Sequence, residues 1–323
     1  MQLDAMLDKC RREQWEVEAL DWTGTPRAMT RADELAIVQY FTDMAGIERL
    51  AGALFAEQAR RAEEPVLREI FQTFVKDEAR HAEAAERLAR YYDVHRYHRY
   101  RMSPALTKFA PRFVKVIRHL SADLANTYIT SGELILDIAL LRSIDDHVGD
   151  AMSQRAMHLI NRDESRHIAV DFHMVDYYGS ETYAERLRSD PPRSRTHRLR
   201  ASLAFASALY YAAPFFKDVF FEPMRVCDPS GKRMREAFKR VQLVGRKATP
   251  RRHGFVKALR ALQDVYNDSA TGRLVFGRLI ERVLGVDPEL IARLYTEAER
   301  RRAEAMSFDE LAEDALKAKY TSR

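Results

Sequence analysis

The string Asp-Glu-x-Arg-His occurs twice in this chain, as Asp77-Glu78-Ala79-Arg80-His81 and as Asp163-Glu164-Ser165-Arg166-His167. A lone glutamate precedes each copy. Glu48 lies 30 residues before Glu78, and Glu133 lies 31 residues before Glu164. A composition like this one yields roughly 0.01 copies of the full string by chance. The two copies therefore mark an internal repeat. Each repeat unit reads as a helical hairpin that carries one Glu and then one Glu-x-x-His.

The residues around these six give the repeat its meaning. At alternating four- and three-residue steps, one stripe reads Ile37, Phe41, Met44, Glu48, Ala51, Phe55, and a second reads Phe71, Phe74, Glu78, His81, Ala85, Leu88. The third is Ala122, Asn126, Ile129, Glu133, Leu136, Leu140, and the fourth is Met157, Ile160, Glu164, His167, Asp171, Met174. Such mostly apolar stripes face the core of a helix bundle. The i, i+3 step puts each Glu and its His on one face, a turn apart. A buried carboxylate without a counter-charge costs several kcal/mol or takes up a proton. Four glutamates and two histidines at one level of a core need positive charge, and two metal ions supply it. Carboxylates with few imidazoles and no thiolate favour iron or manganese over structural zinc. A single Glu-x-x-His in an Arg/Glu-rich helix would be an ordinary solvated face; the paired pattern separates this chain from that reading.

Composition agrees with helices. Among 323 residues, 46% are hydrophobic and 31% charged, with only 12 Gly and 11 Pro. Few breakers and long Ala/Leu/Arg/Glu runs predict an all-α fold. Four long helices are expected, over about 30–60, 65–92, 103 or 111 to 146, and 150–179, and these form a four-helix bundle. The expected organisation is an N-terminal arm over 1–30 (with Trp15 and Trp22), the bundle over 31–180, and a basic helical extension over 181–323. After a link through Asp190-Pro191-Pro192-Arg193, further helices are predicted near 195–225, 230–245, 252–285, 287–306 and 308–319. The most apolar run, Ala201 to Phe216, contains Pro214 and is too short for a membrane span. It is expected as a buried or interface helix, and no transmembrane segment is expected. Cys10 and Cys227 form no Cys-x-x-Cys pair, and residues 1–20 lack an apolar leader core. A cytoplasmic setting is the natural expectation.

Charge divides the chain. Residues 1–180 carry 24 Lys+Arg against 29 Asp+Glu, whereas residues 181–323 carry 29 against 19. The basic half offers a docking surface for an acidic partner, through Arg193, Arg195, Arg198 and Arg200, and through Arg246, Lys247, Arg251 and Arg252. An acidic redox protein or an acyl carrier protein fits such a surface better than nucleic acid; a solvated basic surface is the plainer alternative. His95 and His98 are expected on the surface. No Gly-rich phosphate loop is present.

At the repeated residues the chain resembles the ferritin-like diiron-carboxylate superfamily, which includes soluble diiron oxygenases, acyl-carrier-protein desaturases and the ribonucleotide reductase small subunit. The likeness covers about residues 35–178. It implies a ferritin-like four-helix bundle, with additional C-terminal helices here, holding two iron ions; a manganese/iron pair is the variant. It further implies that Glu48, Glu78 and His81 bind one ion and Glu133, Glu164 and His167 the other, with Glu78 and Glu164 bridging. Asp77 and Asp163 would accept the remaining ring N–H of the opposite histidines, as ligating imidazoles require. The resemblance implies an oxygen-activating oxidase or oxygenase that hydroxylates, desaturates or N-oxygenates a small organic or carrier-bound substrate with external electrons. The alternative is an iron-handling or peroxide-scavenging protein without an organic substrate. Ala85 stands where the reductase subunit has its radical-forming Tyr, and Ile160 stands where aromatic-amine N-oxygenases add a third His. Asp137 and Asp171, a turn beyond Glu133 and His167, are candidate catalytic proton carriers. Phe41, Phe55, Phe71 and Phe74 either wall a substrate pocket or fill the core. A homodimer is compatible with long helices.

Overall fold

Three of the four long bundle helices begin at a side-chain cap. In the computed structural model, which describes residues 1–189, 194–247, 260–261, 263–267, 277, 282 and 287–321, Thr30 caps α2 (Arg31–Arg61) by accepting the Asp33 N–H. Glu64 caps α3 (Pro65–Tyr92), with Pro65 at the first helical position, where its missing N–H costs nothing. Asp150 caps α7 (Ala151–Gly179) through the Met152 N–H at 2.8 Å. Gly149, at φ 58°, ends the preceding helix in the left-handed conformation that glycine adopts without strain. An additional helix α1 (Leu3–Arg12) precedes these four-turn-plus elements.

The predicted third helix is broken in two. α4 (Pro104–Ile117) is a separate crossing helix, and α5 begins only at Ala122. α5 (Ala122–Ile135) passes through a π-helical turn, Leu136–Leu141, into α6 (Arg142–Val148). Ser103 and Pro104 supply the first start signal, with the Ser103 hydroxyl accepting the Leu106 N–H. Ser121 marks the second start. Pro111 sits inside α4 and starts no helix.

α2 packs along α3, and α5 packs along α7. Cross-contacts between α2 and α5 and between α3 and α7 complete a four-helix arrangement. Its interior is layered. One apolar cluster holds Phe41, Met44, Leu50, Leu88, Leu134, Leu140 and Ile160. A second holds Leu54, Phe55, Phe71, Phe74, Ile129, Val170 and Met174. The glutamates and histidines of the repeat fall between them on every helix. The stretch Ala122–Val148 has the length and apolarity to cross a membrane, but 67% of its apolar window is buried inside the protein. That burial is explained by its place as a core helix.

After the bundle, α8 (Glu181–Ser189) occupies part of what sequence reading assigns to a link. α9 (Arg195–Phe215) contains Pro214 and continues through a second π-helical turn, Phe216–Phe221, into α10 (Glu222–Cys227). α9 packs on α4. Its inner side is buried at Ala204, Ala208, Ala212 and Phe215, while Leu203 and Tyr210 face outward. α11 (Lys232–Arg246) packs on α5. The expected single helix over 287–306 is instead one turn, α12 (Pro288–Ile291), then α13 (Glu297–Ala305), which starts at a full capping box on Thr296. α14 (Phe308–Thr321) packs on α7. No strand occurs among the described residues. The link at 190–193 and most of the helix predicted over 252–285 lie outside them.

Candidate metal centre

All four sequence stripes turn inward, and they carry the repeat with them. Glu48, His81, Glu164 and His167 are fully buried, Glu78 is 1% exposed and Glu133 3% exposed. Gly52, one turn beyond Glu48, lets α2 approach α3 closely: a Cβ there would lie 3.3 Å from the Glu78 Cβ.

The six side chains form two overlapping groups. Glu48, Glu78, His81 and Glu164 bring ligand atoms within 4.8 Å of one another, as do Glu78, Glu133, Glu164 and His167. Glu78 and Glu164 belong to both. His81 Nδ1 lies 3.2 Å from Glu164 and 3.7 Å from Glu78. His167 Nδ1 lies 3.1 Å from Glu78 and 3.2 Å from Glu164. These approaches lack hydrogen-bond alignment, and both Nδ1 atoms and the oxygens of Glu48, Glu78 and Glu164 have no hydrogen-bond partner. Buried polar atoms are paired as a rule. So many orphaned ligand atoms in one place fit a bound cation, and either group could hold a metal ion.

The outer nitrogens of the histidines have partners, and these are crossed. His81 Nε2 contacts Asp163 at 3.2 Å, and His167 Nε2 contacts Asp77 at 3.4 Å. Both aspartates are fully buried rather than exposed beside the core face. Arg166, itself buried, bonds Asp163 at 2.7 Å and Asp77 at 3.3 Å; Arg80 bonds Asp77 at 3.1 Å and Asp163 at 3.2 Å.

The charges of the cluster act strongly on one another. Burial, reinforced by Glu78 and Glu164, pushes Glu48 far above the usual carboxylate range. Burial and Glu164 do the same to Glu133. Burial works against a charged His81, but Asp163, Glu164 and Glu78 outweigh it and hold the ring well above its ordinary value. His167 is raised likewise, chiefly by Glu164 and Asp77 against burial. Burial opposes ionisation of Asp77 too, yet His167, His81 and Arg166 bring it down to about 2.

Asp171 and Asp137 separate. Asp171 is buried one turn past His167, where burial, Glu164 and Glu78 hold it well above its ordinary value against the pull of His167. Its backbone carbonyl accepts from Asn126, which is tied in turn to Gln58. Asp137 is buried within the π-helical turn after Glu133. The largest charge effects on Glu133 come from Glu164, Glu78 and Asp171.

An apolar cavity of about 240 Å³ reaches Glu133 from the side of α4 and α9. Ile47, Leu50 and Leu54 of α2, Phe109 and Phe113 of α4, and Phe205, Leu209, Ala212 and Phe215 of α9 line it. The four phenylalanines considered from sequence do not. Phe55 and Phe74 pack on the His167 ring, at centroid distances of 5.0 and 4.1 Å, inside the bundle. Phe41 and Phe71 are likewise core. The cavity opens above Gly132, where a Cβ would meet nothing within 4 Å.

Sequence reading misses the cavity wall because about a third of it comes from the extension; the apolar run Ala201–Phe216 was its only signal. It also misses Glu13, Gln14 and Trp15, which reach Asp77, Asp163 and Arg166 from the arm. The basic cluster is corrected in part. Arg246 and Lys247 are buried, Arg246 against Gln263 and Tyr295 and Lys247 against the Met306 carbonyl. Arg195, Arg198 and Arg200 are exposed at the start of α9. Arg193, Arg251 and Arg252 lie outside the described residues. His95 is exposed and bonds Glu34. Comparison with protein-family models, curated proteins and solved structures finds no match to this chain.

Proposed function

We propose that this chain is a ferritin-like, non-haem diiron-carboxylate oxygenase or oxidase acting on a small uncharged hydrophobic substrate. The apolar cavity at Glu133 carries the reading, because an iron store has no use for a hydrophobic chamber beside its ligands. An apolar cavity of about 150 Å³ suffices for benzene. This one, at about 240 Å³, suits a larger ring or a short alkyl chain. Glu48 and Glu133 would be end ligands, Glu78 and Glu164 would bridge, and His81 and His167 would each complete one ion's donor set. The carboxylate-rich set favours iron, with a manganese/iron pair as the variant.

Glu48, Glu78, His81, Glu133, Glu164 and His167 would hold a reduced metal pair, whose chemistry there would be electron supply to dioxygen. The chain supplies the rest. The crossed Asp163–His81 and Asp77–His167 contacts hold the ring orientations. The apolar walls exclude water and hold the substrate against Glu133. Asp171, which burial raises well above its ordinary value, would hold a proton at its carboxyl beside the cluster. Electrons come from an external donor, for which Arg195, Arg198 and Arg200 form an acid-seeking surface.

Anaerobic loading with Fe(II), followed by metal analysis, tests the centre; about two irons per chain are expected from the two ligand groups. Oxygen uptake stimulated by hydrophobic compounds, and by no polar ones, tests the activity. Stoichiometric iron with no compound able to stimulate oxygen uptake overturns the enzyme reading.

A further inference from the structure

Three consecutive residues of the N-terminal arm close the outer side of the metal centre. Trp15 donates its indole N–H to Asp163 Oδ2 at 2.7 Å, the same oxygen that faces His81 Nε2. Gln14 donates from Nε2 to Asp77 Oδ1 at 3.1 Å and accepts from Arg80. Glu13 bonds Arg166 at 2.9 Å through its carboxylate and accepts from Arg162 through its carbonyl. Arg80 also lies over the Trp15 ring, 5.4 Å from its centroid.

This segment is pinned on both sides. Before it, Leu7 and Cys10 are buried with Phe55, Ile70 and Phe71. After it, Val17 and Leu20 join the main core. Its contacts are therefore not those of a fraying terminus. Asp77 and Asp163 each serve a histidine with one oxygen, so a freely turning carboxylate would leave that ring unoriented. Arg80 and Arg166 already bond both aspartates, and the arm adds one neutral donor to each, Gln14 to Asp77 and Trp15 to Asp163. The indole and the amide are neutral donors, so they fix the carboxylate planes without adding charge next to Arg80 and Arg166.

We propose that Gln14 and Trp15, with Glu13 steadying Arg166, are positioning residues of the metal centre: they clamp Asp77 and Asp163, and so set the orientation and donor strength of His167 and His81. This rests on the metal-binding reading above. Loss of a partner one step out from a metal ligand costs about 10- to 100-fold in affinity, and the arm acts one step further out.

Co(II) titration of the full chain tests it, because cobalt's visible bands report ligand geometry without turnover. Trp15→Phe keeps the ring bulk and removes the N–H; Gln14→Leu removes the amide. Each is expected to weaken Co(II) binding by about 10-fold, at the lower end of that range, and to shift the bands. Leu7→Ala removes packing beneath α1 while keeping every hydrogen-bond donor of the network in place. It is expected to lower the melting temperature while leaving bands and affinity at wild-type values. Wild-type bands and affinity in both Trp15→Phe and Gln14→Leu overturn this inference alone, as does an equal band shift in Leu7→Ala. Absence of Co(II) binding by the wild-type chain overturns the metal reading together with it.

Discussion

Asp163 stands beside Glu164 in sequence, yet its carboxylate serves His81, the histidine of the other repeat, at 3.2 Å. Asp77 mirrors it by serving His167 at 3.4 Å. The two halves are thus interlocked, each orienting the other's imidazole. Asp163→Asn keeps the shape but replaces an ionised acceptor with a neutral amide. Metal affinity is expected to fall about 10- to 100-fold, measured by competition with a chelator. Affinity at the wild-type value would show that the crossed contact orients nothing.

The shared glutamates make a stoichiometric prediction. Glu78 and Glu164 belong to both ligand groups, whereas Glu48 and Glu133 belong to one each. Glu78→Ala or Glu164→Ala is expected to abolish binding of both ions. Glu48→Ala is expected to leave one site, on the Glu133 side. Metal analysis after gel filtration reads the difference directly. Two ions retained in Glu78→Ala would remove it as a ligand.

The legible part of this protein is the part whose periodicity and chemistry coincide. Glu48, Glu78, His81, Glu133, Glu164 and His167 interrupt apolar stripes, so their burial followed from spacing alone. The break at residues 118–121 was not legible, because the helical pattern runs on from α4 into α5 and Pro111 looks like a better boundary than Ser121. The cavity was hidden for a different reason: Phe109, Phe215 and Gly132 are brought together by packing between segments far apart in the chain. Trp15 carried no period at all, and its role depends on one indole N–H reaching Asp163.

Gly132 gives the cavity a handle. A Cβ at this position enters open space, and glycine within a helix costs about 1 kcal/mol relative to alanine. Gly132→Ala is expected to raise stability by roughly 0.5–1 kcal/mol with metal content unchanged. Gly132→Leu is expected to fill the chamber, leaving iron loading intact and raising KM for hydrophobic substrates more than it lowers kcat. Denaturant melts, metal analysis and oxygen uptake check the three parts. Loss of iron in Gly132→Leu would mean that the position shapes the ligands rather than the cavity.

Removing the metal should reverse the pH response of stability. In the metal-free chain, Glu48 and Glu133 are held protonated by burial and by the neighbouring glutamates. Their unfolded forms release protons near pH 4.5, so a rise in pH above that value favours the unfolded chain. The raised histidines act in the same direction: the stability they contribute is complete below about pH 6.5 and is lost as pH climbs toward their folded values. Asp77 acts oppositely, but only below its unfolded value of 3.8. Between pH 5 and 8 the metal-free protein is therefore expected to lose stability as pH rises. Divalent metal replaces the protons on the same oxygens and nitrogens and binds only the folded chain, so the loaded protein is expected to gain stability over that range. Thermal melts in chelator and in excess Fe(II) under anaerobic conditions give the two slopes. Parallel slopes would mean that the cluster binds no cation where its protons sit.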